Sequence, residues 1–393
     1  MKLDKATKAS YAVLIACIIA HFFNHVYTGV LSPFLPLIRQ ELSLTLTQTG
    51  MVTSALILTM NLSHMGVGYL GDKGWREIFI PTTVISMAFG ILLVSCSEGF
   101  WLLIISQALL GVAASGYHPS AFPTLAERFP LSSRAKSTSI QAVGGLLGMA
   151  LVPMLGVILL LVFGGWRQSL VLLGLIGIVS FFPVAMLIRY STRCPVATEK
   201  TSRERTESTQ WKRNFVLGIV YMGLKGMSFR SITLMMPLYL VDSHAYEPVL
   251  AGALTSLMLI SGVAGELVAG PLSDRTGRRT DFMVISTVVS AFAIALLSFT
   301  VGRLSLIIIL IVLGFFFFLG EPTATAYLTE MSPKEQSGIA FGLLFSVGSI
   351  PGAISPTIFG FIGDIWGLSM AIWFLTITIS LASLVAFLLT DSR

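Results

Sequence analysis

Long apolar segments separated by short charged breaks are the feature that most constrains how this chain can fold. Residues 304–319, for example, contain no charged side chain, a length that only lipid or a buried helix bundle accepts. Hydrophobic residues make up 54% of the 393-residue sequence and charged residues only 11%, against about 25% charged in ordinary soluble domains. Such a chain cannot cover a surface that faces water, so we predict an all-α integral membrane protein.

Apolar windows between charged or turn-forming residues predict twelve transmembrane helices, each long enough to cross about 30 Å of hydrocarbon. They lie near residues 11–33, 48–70, 78–96, 100–125, 137–162, 167–190, 214–240, 249–272, 281–300, 304–328, 337–362 and 367–389. The polar stretch from Ser191 to Arg213 is the only long loop. We therefore predict an N-terminal six-helix bundle over residues 1–190, a cytoplasmic linker over 191–213 and a C-terminal six-helix bundle over 214–393.

The distribution of basic residues predicts the topology, because short loops rich in Lys and Arg stay on the cytoplasmic side. With the N-terminus inside, 20 of the 25 Lys and Arg residues lie in cytoplasmic segments. The exceptions are Arg39, Arg167 and Arg303 outside, and Lys225 and Arg230 within a span. Both termini are thus predicted to be cytoplasmic, in a multi-pass protein of the inner (plasma) membrane. Topology and contact with anionic lipid then explain the net charge of +6 without a nucleic-acid partner.

The two predicted bundles are related by an internal repeat. The decapeptide from Gly270 to Arg279 has a shorter copy from Gly68 to Arg76, at an offset of 202 residues. Matches at offsets of 201 to 203 extend across the halves and include Pro36 with Pro237, Gly111 with Gly314, His118 with Glu321, and Pro153 with Pro356. Parallel six-span repeats of this kind place substrate at the repeat interface near the middle of the membrane.

The decapeptide resembles the signature Gly-x-x-x-Asp-Arg-x-Gly-Arg-Arg that members of the major facilitator superfamily carry between spans 8 and 9. The resemblance covers the whole chain. Within the superfamily, the segments His21–His25, Leu35–Leu37 and Gly116–Pro119 resemble the fosmidomycin-resistance group of drug exporters. The resemblance implies the major facilitator fold, with spans 1, 4, 7 and 10 lining a central cavity.

The signature and its copy are predicted to form gates. Asp274 can accept hydrogen bonds from backbone amides or pair with a neighbouring arginine, and such contacts hold one conformation shut. The alternative is that these charges only anchor the helices at the lipid surface. In the first copy Trp75 stands where the second glycine is expected and Glu77 where a base is expected, so we expect that gate to be held differently. The predicted gating residues are Gly68, Asp72, Arg76, Gly270, Asp274, Arg275, Gly277, Arg278 and Arg279.

Ionisable residues inside the spans mark the candidate site, because each costs about 2.5 kcal/mol or more at the bilayer centre and so faces a cavity or a partner. The predicted substrate contacts are His21, Asn24, His25, His118, Lys225, Arg230 and Glu321. The predicted proton-coupling residues are Glu321, Glu266, His118 and His64. His64 and Glu266 each precede a signature aspartate by eight residues, so we expect them nearer the cytoplasmic gate.

Two of these groups admit more than one interpretation. Lys225 and Glu321 come to similar depth, and protonation of a paired carboxylate would free the cation for an anion; a static ion pair is the alternative. His21 and His25 share one helix face and favour a binding role, with interhelical hydrogen bonding as the alternative. No third ligand with suitable spacing is visible beside them, so we predict no metal site and no cofactor.

Because no nucleotide-binding loop or catalytic constellation is present, energy must come from an ion gradient. We predict a monomeric secondary transporter that works by alternating access and couples protons to the export of a small drug-like or anionic organic compound. The alternative is a symporter that imports an anionic metabolite. A membrane enzyme using His118 as a base would need a nucleophile that the sequence does not place nearby, and a non-transporting sensor would keep ligand binding without Glu321.

Overall fold

A computed structural model describes residues 5–193, 213–299, 302–331 and 348–390. Within these ranges the chain consists of helices joined by short turns. Most of the predicted linker and the first part of the predicted eleventh span, residues 337–347, lie outside the described residues. The prediction of an all-helical protein is confirmed for the part of the chain that is described.

The helices of the described residues follow one another without intervening strands. The α-helices are α1 (Lys5–Gly29), α2 (Leu35–Glu41), α3 (Leu46–Leu70), α4 (Arg76–Ser95), α5 (Phe100–Ala114), α6 (His118–Arg128), α7 (Leu131–Phe163), α8 (Trp166–Thr192), α9 (Arg213–His244), α10 (Pro248–Thr276), α11 (Arg279–Leu297), α12 (Arg303–Met331), α13 (Ile350–Trp366) and α14 (Leu368–Phe387). A 3₁₀ turn at Ser32–Phe34 precedes α2, and a π turn at Gly71–Trp75 joins α3 to α4.

Ten of the described helical stretches are long and apolar enough to cross a membrane. One of them, Leu46–Ser95, contains both the second and the third predicted spans. The described part of the eleventh predicted span is α13, which is 17 residues long. The count of twelve spans and the cytoplasmic location of the termini stay predictions.

The chain forms two compact units, and one segment of the N-terminal half of the sequence belongs to the second unit. The first unit comprises Met1–Leu31 and Ala55–Glu204, and the second comprises Ser32–Ser54 and Arg205–Arg393. Helix α3 therefore begins in the second unit and ends in the first. In the first unit α1 packs against α7 and α8, and α4 packs against α8. In the second unit α9 packs against α13 and α14, and α11 packs against α14, which is the same set of pairings.

Each unit contains a hydrogen bond at equivalent positions, related by the offsets read from the sequence. The Thr59 hydroxyl of α3 donates to the carbonyl oxygen of Ala108 at 2.8 Å. The Ser261 hydroxyl of α10 donates to the carbonyl oxygen of Ile311 at 3.0 Å. These contacts join equivalent helix pairs, so the repeat extends to individual side chains.

Glycines at equivalent positions allow these helix pairs to approach closely. A Cβ atom on Gly111 would lie 2.2 Å from the carbonyl oxygen of Leu56, and one on Gly314 would lie 1.9 Å from that of Met258. No side chain fits at such distances, and small residues are the usual means by which membrane helices come together. Each contact thus requires glycine.

Gly314→Ala should destabilise the protein, because the added methyl group forces α12 away from α10. We expect a loss of about 1–3 kcal/mol, measured as a lower melting temperature in detergent. The matched control is Gly270→Ala, since a Cβ atom there would meet no atom within 4 Å. Equal melting temperatures for the two variants would contradict the close packing of α10 on α12.

The end of α13 holds the start of α3 within the second unit. The Asp364 carboxylate accepts hydrogen bonds from the backbone N–H groups of Leu46 at 2.9 Å and Thr47 at 2.8 Å, and from the Thr47 hydroxyl at 2.6 Å. Backbone N–H groups in the first turn of a helix have no partner within the helix, so a carboxylate there stabilises it. A Cβ atom on Gly360 would lie 2.1 Å from the carbonyl oxygen of Leu46, so this attachment is also close-packed.

Asp364 lies beyond the predicted span that ends at residue 362. Partial burial would raise the pKa of its carboxyl group, but the hydrogen bonds from Thr47, Leu46 and Thr45 outweigh burial and hold the pKa below its ordinary value. A carboxyl group whose pKa is lower in the folded state stabilises the protein above its unfolded pKa of about 3.9, and the stabilisation is lost as the pH falls toward the lowered pKa.

Asp364→Asn should therefore lower the melting temperature at pH 7, and the difference from the parent protein should shrink below about pH 4. Melting temperatures in detergent across this pH range would measure both effects. Glu98→Gln changes an exposed carboxyl group in the first unit and serves as the control. A difference that does not depend on pH would contradict the role of the ionised carboxylate.

Candidate functional site

Helices α1 and α6 bring three of the predicted histidines together in the first unit. His21 and His25 lie one turn apart on α1, and His118 begins α6. One ring nitrogen of each histidine lies within 4.8 Å of the corresponding nitrogens of the other two. The ring of His64, on α3, is centred 6.2 Å from that of His118. The fold therefore supplies the third imidazole that sequence spacing did not reveal.

A break in the predicted fourth span positions His118. Helix α5 ends at Ala114 and α6 begins at His118, because Pro119 has no N–H group to continue the helical hydrogen bonds. The buried Tyr117 anchors the break, since its hydroxyl lies 2.6 Å from Oε1 of Gln141 on α7 and 2.8 Å from the carbonyl oxygen of Cys17 on α1. The start of α6 is thus tied to both neighbouring helices.

The buried ring of His21 is held in one orientation. It stacks on Tyr117 with ring centres 4.8 Å apart, and its Nδ1 lies 3.1 Å from the carbonyl oxygen of Gln141. Because a carbonyl oxygen only accepts, Nδ1 carries the proton and Nε2 carries the lone pair. Nε2 is buried and has no hydrogen-bond partner among the described residues, although an unpaired buried polar atom costs about 1–3 kcal/mol.

Asn24 has a different environment from the histidines. Its side-chain amide donates to the carbonyl oxygen of Ala114 at 2.9 Å and contacts the Met87 sulfur at 3.6 Å. The residue is only 2% exposed, and its donors connect α1 to α5 and α4. The structure places the amide nitrogen of Asn24 in helix packing, and the predicted substrate contact of this residue stays a prediction.

The second unit contains a buried ion pair, in which Glu321 occupies the repeat position equivalent to His118. Nζ of Lys225, on α9, lies 2.7 Å from Oε1 of Glu321, on α12. The Lys225 side chain is 2% exposed and that of Glu321 is 30% exposed. A Cβ atom on Gly320 would lie 3.1 Å from Nζ, so the absence of a side chain there leaves room for the ammonium group. The pairing that the sequence left open is present.

Two further charged residues, Glu266 and Arg230, belong to the surroundings of this pair. Glu266 interacts electrostatically with Glu321 and Lys225, so it belongs to this cluster and not only to the gate where we expected it. Arg230 interacts with Glu321, yet it forms no ion pair with any carboxylate of the described residues. His64 and Glu266 thus accompany His118 and Glu321, respectively, at equivalent positions of the two units.

The turns of the two signature copies correct one feature of the sequence alignment. Gly277 has φ of 65° and Gly74 has φ of 98°, in the left-handed region that favours glycine. Gly74, and not Trp75, therefore occupies the place of the second glycine, and the first copy is one residue shorter. The sequence comparison missed this because it kept a constant offset through the turn.

Charges from α6 hold the first copy. Arg76 pairs with Asp72 and also with Glu127 at 2.6 Å. Glu77, which stands where a base was expected, pairs with Arg128 at 2.8 Å, and the Arg128 side chain is 6% exposed. Sequence reasoning did not single out Glu127 and Arg128, although two charges at the end of the predicted fourth span were a visible signal.

The second copy is held by contacts within the decapeptide and the start of α11. Arg279 pairs with Asp274 at 3.0 Å, and Arg278 pairs with Asp281 at 2.8 Å. Arg275 is exposed. Gly270, like Gly68, has no neighbouring atom within 4 Å of its Cβ position, so close packing does not require glycine at either position in this structure.

Comparison with known proteins identifies the family. The sequence profile of the Major Facilitator Superfamily matches residues 17–264 and 219–393. The chain belongs to the major facilitator superfamily. This membership confirms the resemblance drawn from the signature loop, and it makes the protein a multi-pass transporter of the inner membrane and not an enzyme.

Curated relatives within the superfamily match most of the chain. The chain is 23% identical to a probable sulfoacetate transporter of Cupriavidus necator, over 90% of this chain and 87% of that protein. It is also 23% identical to the fosmidomycin resistance protein of Escherichia coli, over 88% of this chain and 86% of that protein. The quinolone resistance protein NorA of Staphylococcus aureus is 23% identical over 86% of each chain.

Solved structures show the same fold. A bacterial homolog of the human lysosomal transporter Spinster, in an inward-facing and unoccupied conformation, superposes with a TM-score of 0.81 at 16% identity. The match covers 97% of this chain and 96% of that one. The chain therefore has the fold of a major facilitator transporter.

Removing one member of the Lys225–Glu321 pair should destabilise this transporter more than removing both. Glu321→Gln leaves a buried ammonium group without its counter-ion, so we expect a coupling free energy of about 1–3 kcal/mol in a double-mutant cycle with Lys225→Met. Denaturant titration in detergent would measure it.

The control for this cycle is the Asp274–Arg279 pair, in which the aspartate side chain is 65% exposed. Its coupling should stay below about 1 kcal/mol, because water screens exposed charges. Coupling at Lys225 and Glu321 no larger than in this control would contradict a buried, energetically significant pair.

Proposed function

We propose that this transporter is a proton-coupled antiporter that exports a small drug-like or anionic organic compound by alternating access. The observation that carries the proposal is the Lys225–Glu321 pair, in which a fully buried ammonium group has one partly accessible carboxylate as its partner. The names of two relatives, which refer to resistance against fosmidomycin and quinolones, support export.

The ion cluster of the second unit can bind a substrate and a proton in turn. While Glu321 is ionised, a drug-like or anionic substrate can bind beside the Lys225–Glu321 pair, with Arg230 as a cation that has no ion-pair partner among the described residues. Proton uptake by Glu321 separates the pair and removes this arrangement of charges, so substrate and proton occupy the site alternately and cross in opposite directions. If protonation instead frees Lys225 for a substrate carboxylate or sulfonate, proton and anion are bound together and the cluster performs symport.

A second candidate is a symporter that imports an anionic metabolite. Two buried or half-buried cations, Lys225 and Arg230, suit an anionic substrate, and one relative is named as a probable sulfoacetate transporter. In this alternative the substrate and the proton move in the same direction. The same residues serve both reactions, so only the direction of coupled flux distinguishes them.

Uptake into proteoliposomes under an imposed pH gradient separates the two functions. The probes are sulfoacetate, fosmidomycin and a fluoroquinolone, chosen from the names of the relatives. Antiport predicts uptake when the lumen is acidic, since protons leave as the substrate enters. Uptake driven by an alkaline lumen would instead establish symport and overturn the export proposal.

Glu321→Gln should abolish the effect of the pH gradient on transport, because an amide does not exchange a proton in this range. Binding of an anionic probe should survive in this variant and be lost in Lys225→Ala, as measured by thermal shift. The control is Glu247→Gln, which changes an exposed carboxyl group of the same unit and should leave coupling unchanged. Full pH-driven uptake by Glu321→Gln would contradict the assignment of this carboxylate to coupling.

A further inference from the structure

The histidine cluster of the first unit has a geometry that proton and anion chemistry do not require. His21 and His25 are four residues apart on α1, the spacing with which two histidines on one helix face bind a metal ion together. His118 completes the group from α6, and the three ligand nitrogens lie within 4.8 Å of one another. His21 is buried, whereas His25 and His118 are half-buried.

The neutral ring of His21 is in the tautomer that a metal ligand needs. Its Nδ1 donates to the carbonyl oxygen of Gln141 at 3.1 Å, and histidines that bind metals commonly donate the other ring N–H to a backbone carbonyl. Nε2 is then a buried lone pair without a hydrogen-bond partner among the described residues. A bound cation would remove the cost of that unpaired atom.

We propose that His21, His25 and His118 form a binding site for one divalent transition-metal cation of the zinc class. Imidazole nitrogens bind Zn²⁺ at about 2.0–2.1 Å, and three of them form the protein part of a tetrahedral site that keeps one position for water or an added anion. Imidazole suits Zn²⁺, Ni²⁺ and Co²⁺, whereas Mg²⁺ prefers oxygen ligands. The three nitrogens, which lie within 4.8 Å of one another, reach the spacing of a tetrahedral site only if the half-buried rings of His25 and His118 rotate on metal binding.

Gly145 of α7 contributes to this site without being a ligand. A Cβ atom on Gly145 would lie 2.5 Å from both Nε2 and Cε1 of His21. The missing side chain therefore leaves space beside this buried nitrogen. The site is independent of the proposed coupling reaction, because none of its ligands belongs to the Lys225–Glu321 cluster.

Metal titration of the purified full-length protein tests the proposal. The protein is prepared in detergent with an affinity tag that contains no histidine, and Zn²⁺ binding is measured by calorimetry. We expect saturable binding of one Zn²⁺ per chain, an increase in melting temperature on saturation, and no response to Mg²⁺. Visible absorption of the Co²⁺ form should report tetrahedral coordination.

The variants identify the ligands. His25→Ala and His118→Ala should each weaken Zn²⁺ binding by at least about 10-fold, and Gly145→Ala should weaken it by about 10-fold or more because it displaces the His21 ring. His244→Ala is the matched control: it removes the only histidine of the sequence outside the first unit and should leave affinity unchanged. Circular dichroism and a monodisperse elution profile show that each variant is folded, and His25→Gln and His118→Gln replace any alanine variant that is not.

Three results would overturn the proposal. They are the absence of stoichiometric Zn²⁺ binding by the parent protein, an unchanged affinity in both ligand variants, and an octahedral Co²⁺ spectrum. The transport experiments have a separate readout, so a parent protein that binds Zn²⁺ but shows no transport driven by the pH gradient would count against the proposed function and leave the metal site intact.

Discussion

A membrane interior offers no water to polar groups, and the structure of this transporter depends on that constraint. Helices satisfy the backbone within each segment, and the remaining polar side chains must find partners on neighbouring helices. The Thr59 hydroxyl therefore bonds a carbonyl group of α5, Asn24 bonds another, and the Lys225 ammonium group pairs with Glu321. These contacts join helices that are distant in sequence, so satisfying polar groups also selects which helices pack together.

The two units use one scaffold for different chemistry. Equivalent helix pairs make equivalent contacts, down to the glycines at positions 111 and 314. At the polar centre, however, the first unit carries imidazoles and the second carries fixed cations with carboxylates. His118 and Glu321 occupy the same repeat position, with His64 and Glu266 beside them. A duplicated fold therefore gives two polar clusters of different character, one built from imidazoles and one from cations with carboxylates.

The turns at the two signature copies differ in how they are held. In the second unit Asp274 pairs with Arg279 close by in the sequence, whereas in the first unit α6 supplies Glu127 and Arg128 to the turn. Helix α6 begins at His118 and ends at Arg128, so one short helix carries both a member of the histidine cluster and a residue of the charged turn. Its two ends are only a few turns apart, which gives the first unit a direct structural connection between the polar centre and the turn.

The sequence by itself determined the membrane class, the positions of most apolar helices among the described residues, the internal repeat and the family, because these follow from hydrophobicity and local motifs. It also identified most members of both polar clusters, since ionisable residues inside spans are rare and costly. Only the tertiary structure decided which of them meet. The third imidazole beside His21 and His25, the use of the Asn24 amide in packing, the place of Gly74 and the attachment of Asp364 to α3 all depend on helix rotation and on local breaks such as the one before His118. Rotations and breaks are set by packing against distant segments, and the periodicity of one segment carries no information about which neighbour its side chains will face.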